Sequence, residues 1–147
     1  MKNIDWKKQH CGVHQASFEQ MIELMPDLEC IKETFPEDVN DFSWDVKVHM
    51  LMPSQYPCIP NWHYDNVPRV NNEQDFDLVR TDRPMYLWIS NEPLTEFRNQ
   101  DGVSFVKEKT WVKFTQKDEH RGTMSRDFQW RGFIRATHKD ITPIKKR

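Results

Sequence analysis

Residues 60–66 read PNWHYDN, and how His63 and Asp65 are interpreted decides the architecture assigned to the chain. On extended backbone, side chains two positions apart project from the same face, so the His63 imidazole and the Asp65 carboxylate can converge on one point. That donor pair suits a borderline divalent ion, and a distant second histidine would complete a facial triad with open coordination positions. The bland alternative is a hydrogen-bonded pair in a proline-rich loop. Spacing alone cannot choose between them, because His138-Lys139-Asp140 repeats it and short motifs recur by chance.

The chain downstream separates the two copies. After His138 only nine residues follow, with no further histidine. After His63 the chain runs through several strand candidates and reaches DEHRGTMSRDFQWRGFIRATHKD (residues 118–140), with His120 near its head. Arg131 comes eleven residues later, and Arg135 follows on the same face of the same strand candidate. A guanidinium there is the planar, permanently charged partner that a carboxylate-bearing co-substrate needs.

The flanking sequence is consistent with a β domain braced by helices. Ser17 and Gln20 have the spacing of a capping box. Phe18, Met21, Ile22 and Met25 then form one apolar helical stripe. Pro26 suits the first turn of a second short helix, which Pro36 ends after Phe35. From Phe42 the period becomes two: Trp44, Val46, Val48, Met50 and Met52 alternate with Ser43, Asp45, Lys47, His49 and Leu51, a strand with one buried face. Further strand candidates are residues 84–90, 103–107, 110–116 and 129–137. In the first of these, Tyr86 and Trp88 alternate with Met85, Leu87 and Ile89, so one set faces the interior, where Tyr86 could reach a co-substrate. No repeat or low-complexity linker divides the chain. The expectation is one domain over residues 1–147, helical at about 15–35 and with a β core at about 42–137.

Composition narrows the partners. The formal net charge is −2, with 30% charged residues and 6 Trp and 9 Phe, which describes a folded chain and argues for neither wholesale nucleic-acid nor membrane binding. Residues 1–100 carry 9 Lys and Arg against 17 Asp and Glu (−8), and residues 101–147 carry 12 against 6 (+6). The C-terminal third therefore presents either a basic pocket or a solvated positive face extended by the KKR tail. Cys11, Cys30 and Cys58 lack any C-x-x-C pair, which argues against a disulfide framework or a zinc finger. His10 and His14 form an i, i+4 pair beside Cys11 that could bind zinc, but no second pair accompanies them, and surface or core placement is expected. Nothing resembles a signal peptide or a bilayer span, which makes the cytoplasm the default compartment.

Taken in order, WHYD, His120 and FQWRGF resemble the signature of the 2-oxoglutarate- and Fe(II)-dependent dioxygenases, with the arginine spacing of the phytanoyl-CoA-hydroxylase-like branch. The resemblance spans roughly residues 42–137. It implies a mainly β fold, the double-stranded β-helix of the jelly-roll and cupin type, with the short N-terminal helices packed on it. It also implies that His63, Asp65 and His120 are catalytic ligands of Fe(II), and that Arg131 binds the far carboxylate of the 2-oxoglutarate co-substrate. Arg135 competes for that role, because RAT resembles the R-x-S/T form of other branches. The implied reaction uses O2, proceeds through a ferryl oxidant, releases succinate and CO2, and hydroxylates a substrate that the sequence does not identify. Two alternatives stay open: a catalytically inactive jelly-roll interaction protein, and a cupin-like metalloenzyme that does not use 2-oxoglutarate.

Overall fold

The computed structural model describes residues 1, 3–10, 12–91 and 94–145. Among these it is mainly β, with ten strands and two short α-helices. The N-terminal part holds β1 (Gly12–Ala16), α1 (Phe18–Leu24) and α2 (Ile31–Thr34), the last entered through a 3-10 turn at Pro26–Cys30. The expected capping box opens α1: Ser17 accepts from the Gln20 N–H, and the Gln20 side chain accepts from the Ser17 N–H. Then follow β2 (Phe42–Leu51), a hairpin of β3 (Arg69–Val70) and β4 (Glu73–Gln74), β5 (Met85–Ile89), β6 (Thr95–Asn99), β7 (Gly102–Phe105), β8 (Val112–Phe114), β9 (Glu119–Gly122) and β10 (Gln129–His138).

These strands form a five-stranded sheet in the order β1-β2-β10-β5-β8, a three-stranded sheet in the order β7-β6-β9, and the separate β3-β4 hairpin. All the paired strands are antiparallel. An isolated antiparallel bridge between His63 and His120 adds the segment around His63 to the free side of β9.

The two faces of the large sheet have different contents. One face meets the helices. Phe18 and Met21 of α1, with Leu28, Ile31 and Phe35, pack on Trp44 and Val46 of β2, Tyr86 and Trp88 of β5, and Ile134 and Ala136 of β10. Each fully buried aromatic or branched side chain there contributes about 1.5–3 kcal/mol. The Trp44 indole also satisfies its one donor on the Val39 carbonyl at 3.0 Å. Gly132 sits on this face because a Cβ there would run into the Trp6 indole.

The opposite face looks toward the small sheet. Met85, Leu87 and Ile89 meet Phe114, Val106 and Phe97 there, while the same face of β10 carries Arg131, Phe133 and Arg135, and that of β2 carries Asp45. Tyr86 therefore points away from this space, toward the helices, where its hydroxyl donates to Glu37. β2 forms where the alternation placed it, but not with one buried face: Ser43 and Asp45 are buried as well as Trp44 and Val46, while Met50 at its far end is 47% exposed and Met52 beyond it 45%.

Five strands escape the periodicity, the short β3 and β4 among them. β1 begins after His10 and contains His14, so the two histidines share no helix, and each has its own partner. His10 accepts from the Gly12 N–H and His14 pairs with Asp45, while Cys11 lies outside the described residues. β6 and β9 are short and carry charged residues among few apolar ones. Lys146 and Arg147 of the basic tail also lie outside the described residues. Cys30 and Cys58 are free thiols. No helix of the described residues is long and apolar enough to cross a membrane.

Candidate metal centre

The site is assembled from the His63 segment, β9 and β10. The His63 N–H donates to the His120 carbonyl at 3.0 Å, and the His120 N–H donates to the His63 carbonyl at 2.9 Å. Residues that exchange both bonds stand directly opposite, with side chains on one face. The two imidazoles accordingly lie with ring centroids 4.3 Å apart. Asp65, two residues on, shares that face. Asn66 then ends the extended run at φ +58, the left-handed region that asparagine tolerates. Its carbonyl accepts from the Gln116 amide at 2.7 Å, which ties the segment down.

One donor atom from each of His63, Asp65 and His120 lies within 4.8 Å of the others. Asp65 Oδ1 is 3.3 Å from His120 Nε2 and 3.7 Å from His63 Nε2. Ligands at right angles and about 2.1 Å from an ion stand about 3 Å apart, so the set closes on an ion with small side-chain rotations. Both Nδ1 atoms are engaged elsewhere: His63 Nδ1 with the Asn61 carbonyl at 2.9 Å, and His120 Nδ1 with the Asp118 carbonyl at 3.3 Å. A carbonyl only accepts, so each Nδ1 carries a hydrogen and each Nε2 is the ring nitrogen turned toward Asp65. A carboxylate 3.3 Å from a ring nitrogen calls for positive charge between them, a ring proton or a cation. A divalent ion supplies it, and the outer-shell bonds that aim the imidazoles are those metal sites use.

The two arginines, four residues apart on one face of β10 and about 13 Å apart along it, are not equivalent. Arg135 donates to Asp65 Oδ2 at 2.9 Å through Nη1, and to Asp45 Oδ2 at 3.2 Å through Nη2. Burial works against the Asp65 charge, but His120 and Arg135 outweigh it and hold the carboxyl well below the usual carboxylate range. Asp65 is thus ionised, as a ligand must be. Arg131 is 1% exposed and reaches only the Thr95 hydroxyl, at 3.3 Å. Its Nε is buried without a partner, and among the described residues no ion pair compensates its charge. Burial brings its pKa down to about 10.

All five residues singled out from the sequence lie in or facing this space: His63, Asp65 and His120 converge, Arg135 braces Asp65, and Arg131 stands apart as an uncompensated cation. Sequence reasoning missed Asp45 and Thr95. Asp45 is visible in retrospect as a carboxylate on the polar face of an alternating strand, whereas nothing local marks Thr95. His138 takes no part; its Nδ1 accepts from the Asp140 N–H at a surface turn, and Asp140 pairs with Arg83. Trp62 and Tyr64 turn away from the triad and are half-buried. The Trp62 ring meets the guanidinium groups of Arg98 and Arg121, 4.4 and 4.5 Å from its centroid, and Tyr64 packs on Phe76.

Gly122 makes the close approach of the His63 segment possible. A Cβ there would lie 2.7 Å from Cys58 Sγ and 2.9 Å from the Cys58 carbonyl oxygen, and its own N–H donates to the Ile59 carbonyl. Gly122→Ala is expected to part these strands, costing about 1–3 kcal/mol by overpacking and weakening metal binding through the adjacent His63–His120 bridge. Thermal melts and Co(II) titration of the variant check both effects.

No protein-family model matches the chain, and no curated protein matches it. A crystal structure of protein NMB1881 from Neisseria meningitidis is similar over 93% of this chain and 99% of that one, at 13% sequence identity and a TM-score of 0.37.

Proposed function

We propose that the protein is a 2-oxoglutarate- and Fe(II)-dependent oxygenase, a hydroxylase by reaction class, built on a double-stranded β-helix. The strand order supports the architecture. Count β2, the His63 segment, β5, β6, β7, β8, β9 and β10 as first to eighth. The large sheet then sets first, eighth, third and sixth side by side, and the small one fifth, fourth, seventh and second. Consecutive segments alternate between two antiparallel sheets except for the fourth and fifth, which pair as a hairpin, and that is the pattern of a jelly roll.

The observation that carries the functional reading is Arg131. An uncompensated buried guanidinium is costly, and it becomes intelligible when an anion belongs beside it. Arg131 shares a face of β10 with Arg135, which meets Asp65, so one molecule bearing a carboxylate at one end and metal-binding oxygens at the other would answer both. His63, Asp65 and His120 would hold the iron and leave adjacent positions open. The Thr95 hydroxyl accepts from Arg131 and keeps its own hydrogen to donate to the same carboxylate. Arg135 is already shared by two carboxylates, which argues for Arg131 as the co-substrate residue. Phe133, between the two arginines on that face, supplies an apolar wall against water. Bound iron would supply the redox chemistry with O2 and the keto acid; the protein's part is orientation and exclusion of solvent.

Anaerobic titration with Fe(II) followed by 2-oxoglutarate tests the reading. The expected result is a weak visible charge-transfer absorption that appears only when both are present. Saturable Fe(II) binding with no response to 2-oxoglutarate would overturn the oxygenase and leave a metal centre of another kind.

A further inference from the structure

We propose that Asp45 is a positioning residue of the metal centre, acting through Arg135, and that the bulge in β1 exists to hold it. The inference rests on the metal-site reading but goes beyond it, because it extends the site to an element that contributes no ligand.

Asp45 is 4% exposed, and both of its oxygens are committed. Oδ2 accepts from Arg135 Nη2 at 3.2 Å. Oδ1 is 2.9 Å from His14 Nδ1 and accepts from the Gln15 N–H at 3.0 Å. Arg135 in turn donates to Asp65 Oδ2, so an unbroken chain runs from the surface of β1 through Asp45 and Arg135 to a ligand oxygen's own carboxylate. Its charges alternate: Asp45 negative, Arg135 positive, Asp65 negative.

The β1 end of the chain is built at a cost. The pairing of β1 with β2 shifts register between Val13 and Ala16, and Gln15 within that bulge has φ +45. The left-handed region costs a non-glycine residue about 1 kcal/mol or more. Here it turns one backbone donor out of the ladder onto the buried carboxylate, and bulges that re-aim a group in this way recur beside active sites.

The consequence for the metal follows from how one guanidinium is divided. While Asp45 holds Nη2, the Arg135 charge is split between two carboxylates and its plane is fixed by two anchors. Asp65 then keeps enough negative charge on Oδ1 to serve as a strong ligand, in one orientation. Without Asp45, the whole cation falls on Asp65 and competes with the metal.

Co(II) titration, read by its visible d–d absorption, tests this on the full chain. Asp45→Asn keeps the size of the side chain and an acceptor for the Gln15 N–H. It is expected to weaken Co(II) binding on the order of tenfold and to change the band shape. A purely structural Asp45 would lower the melting temperature yet leave Co(II) affinity at the wild-type value, which would overturn the inference. In an Arg135→Gln background the same substitution should add nothing; a full additive loss there would overturn the route through Arg135. Should Asp45→Asn fail to fold, His14→Gln decides, because the His14 side chain is 66% exposed and its loss leaves the core intact. A loss of a few fold is expected, and unchanged affinity overturns the proposal. Wild-type protein that binds no Co(II) would instead sink the metal site itself.

Discussion

Asp65→Ala is expected to abolish metal binding, with a loss greater than the 10- to about 100-fold typical of outer-shell changes, and to destabilise the apo fold as well. The carboxylate has two jobs. Oδ1 faces both Nε2 atoms, and Oδ2 takes the Arg135 guanidinium at 2.9 Å. Removal leaves Arg135 with Asp45 alone, so the stability loss should be about 1–3 kcal/mol, the cost of one unmet buried charged partner, rather than that of a stranded ion. His63→Ala makes the contrast. It should remove metal binding to a similar degree with a smaller loss of stability, because the approach of His63 to Asp65, at 3.7 Å, is longer than the 2.9 Å bond that Asp65 accepts from Arg135. Isothermal titration with Co(II) and chemical denaturation of both variants separate the two roles. Equal stability loss in both, or retained metal affinity in Asp65→Ala, would refute the assignment.

Arg131→Met should move stability and co-substrate binding in opposite directions. The guanidinium is buried, and its pKa is brought down to about 10 by that burial. A group whose folded pKa lies below its unfolded value is more easily protonated when unfolded, so at neutral pH its charge opposes folding, and the opposition fades only as pH rises through about 10. Methionine of similar reach removes that charge, and replacement of buried ionic groups by apolar ones stabilises by about 1–4 kcal/mol. A rise in melting temperature is therefore expected. In the same variant 2-oxoglutarate should bind about 100-fold more weakly, the effect of truncating one partner of a desolvated charge pair. Fe(II) binding through the triad should persist. A variant that melts lower and keeps its keto-acid affinity would show Arg131 to be structural.

The candidate site was legible in outline because its parts are either local or long. The His63/Asp65 geometry follows from two-residue spacing on extended backbone, and β10 reads clearly because it is ten residues of strand, Gln129–His138. The site was illegible where short elements decide. β9 is four residues with two half-buried charges, so nothing in its composition announces that His120 is on a strand. β6 carries Thr95 on five residues that include Glu96 and Arg98. β1 was obscured because a bulge breaks its alternation.

The amino-acid order by itself determined what covalent geometry and period dictate: the capped helix at Phe18–Leu24, the alternating strand from Phe42, the shared face of His63 and Asp65, and the shared face of Arg131 and Arg135. Tertiary structure alone decided which arginine meets which carboxylate. Asp45, Asp65 and Arg135 are separated by 70 and 90 residues along the chain. They meet because β10 pairs with β2 in the register that sets Arg135 opposite Asp45 and Arg131 opposite His49. A slip of one residue would turn every one of these side chains to the other face. That register is held by the packing of Trp44, Ile134 and Ala136 against the helices on the far side of the sheet, a constraint that no window of sequence contains.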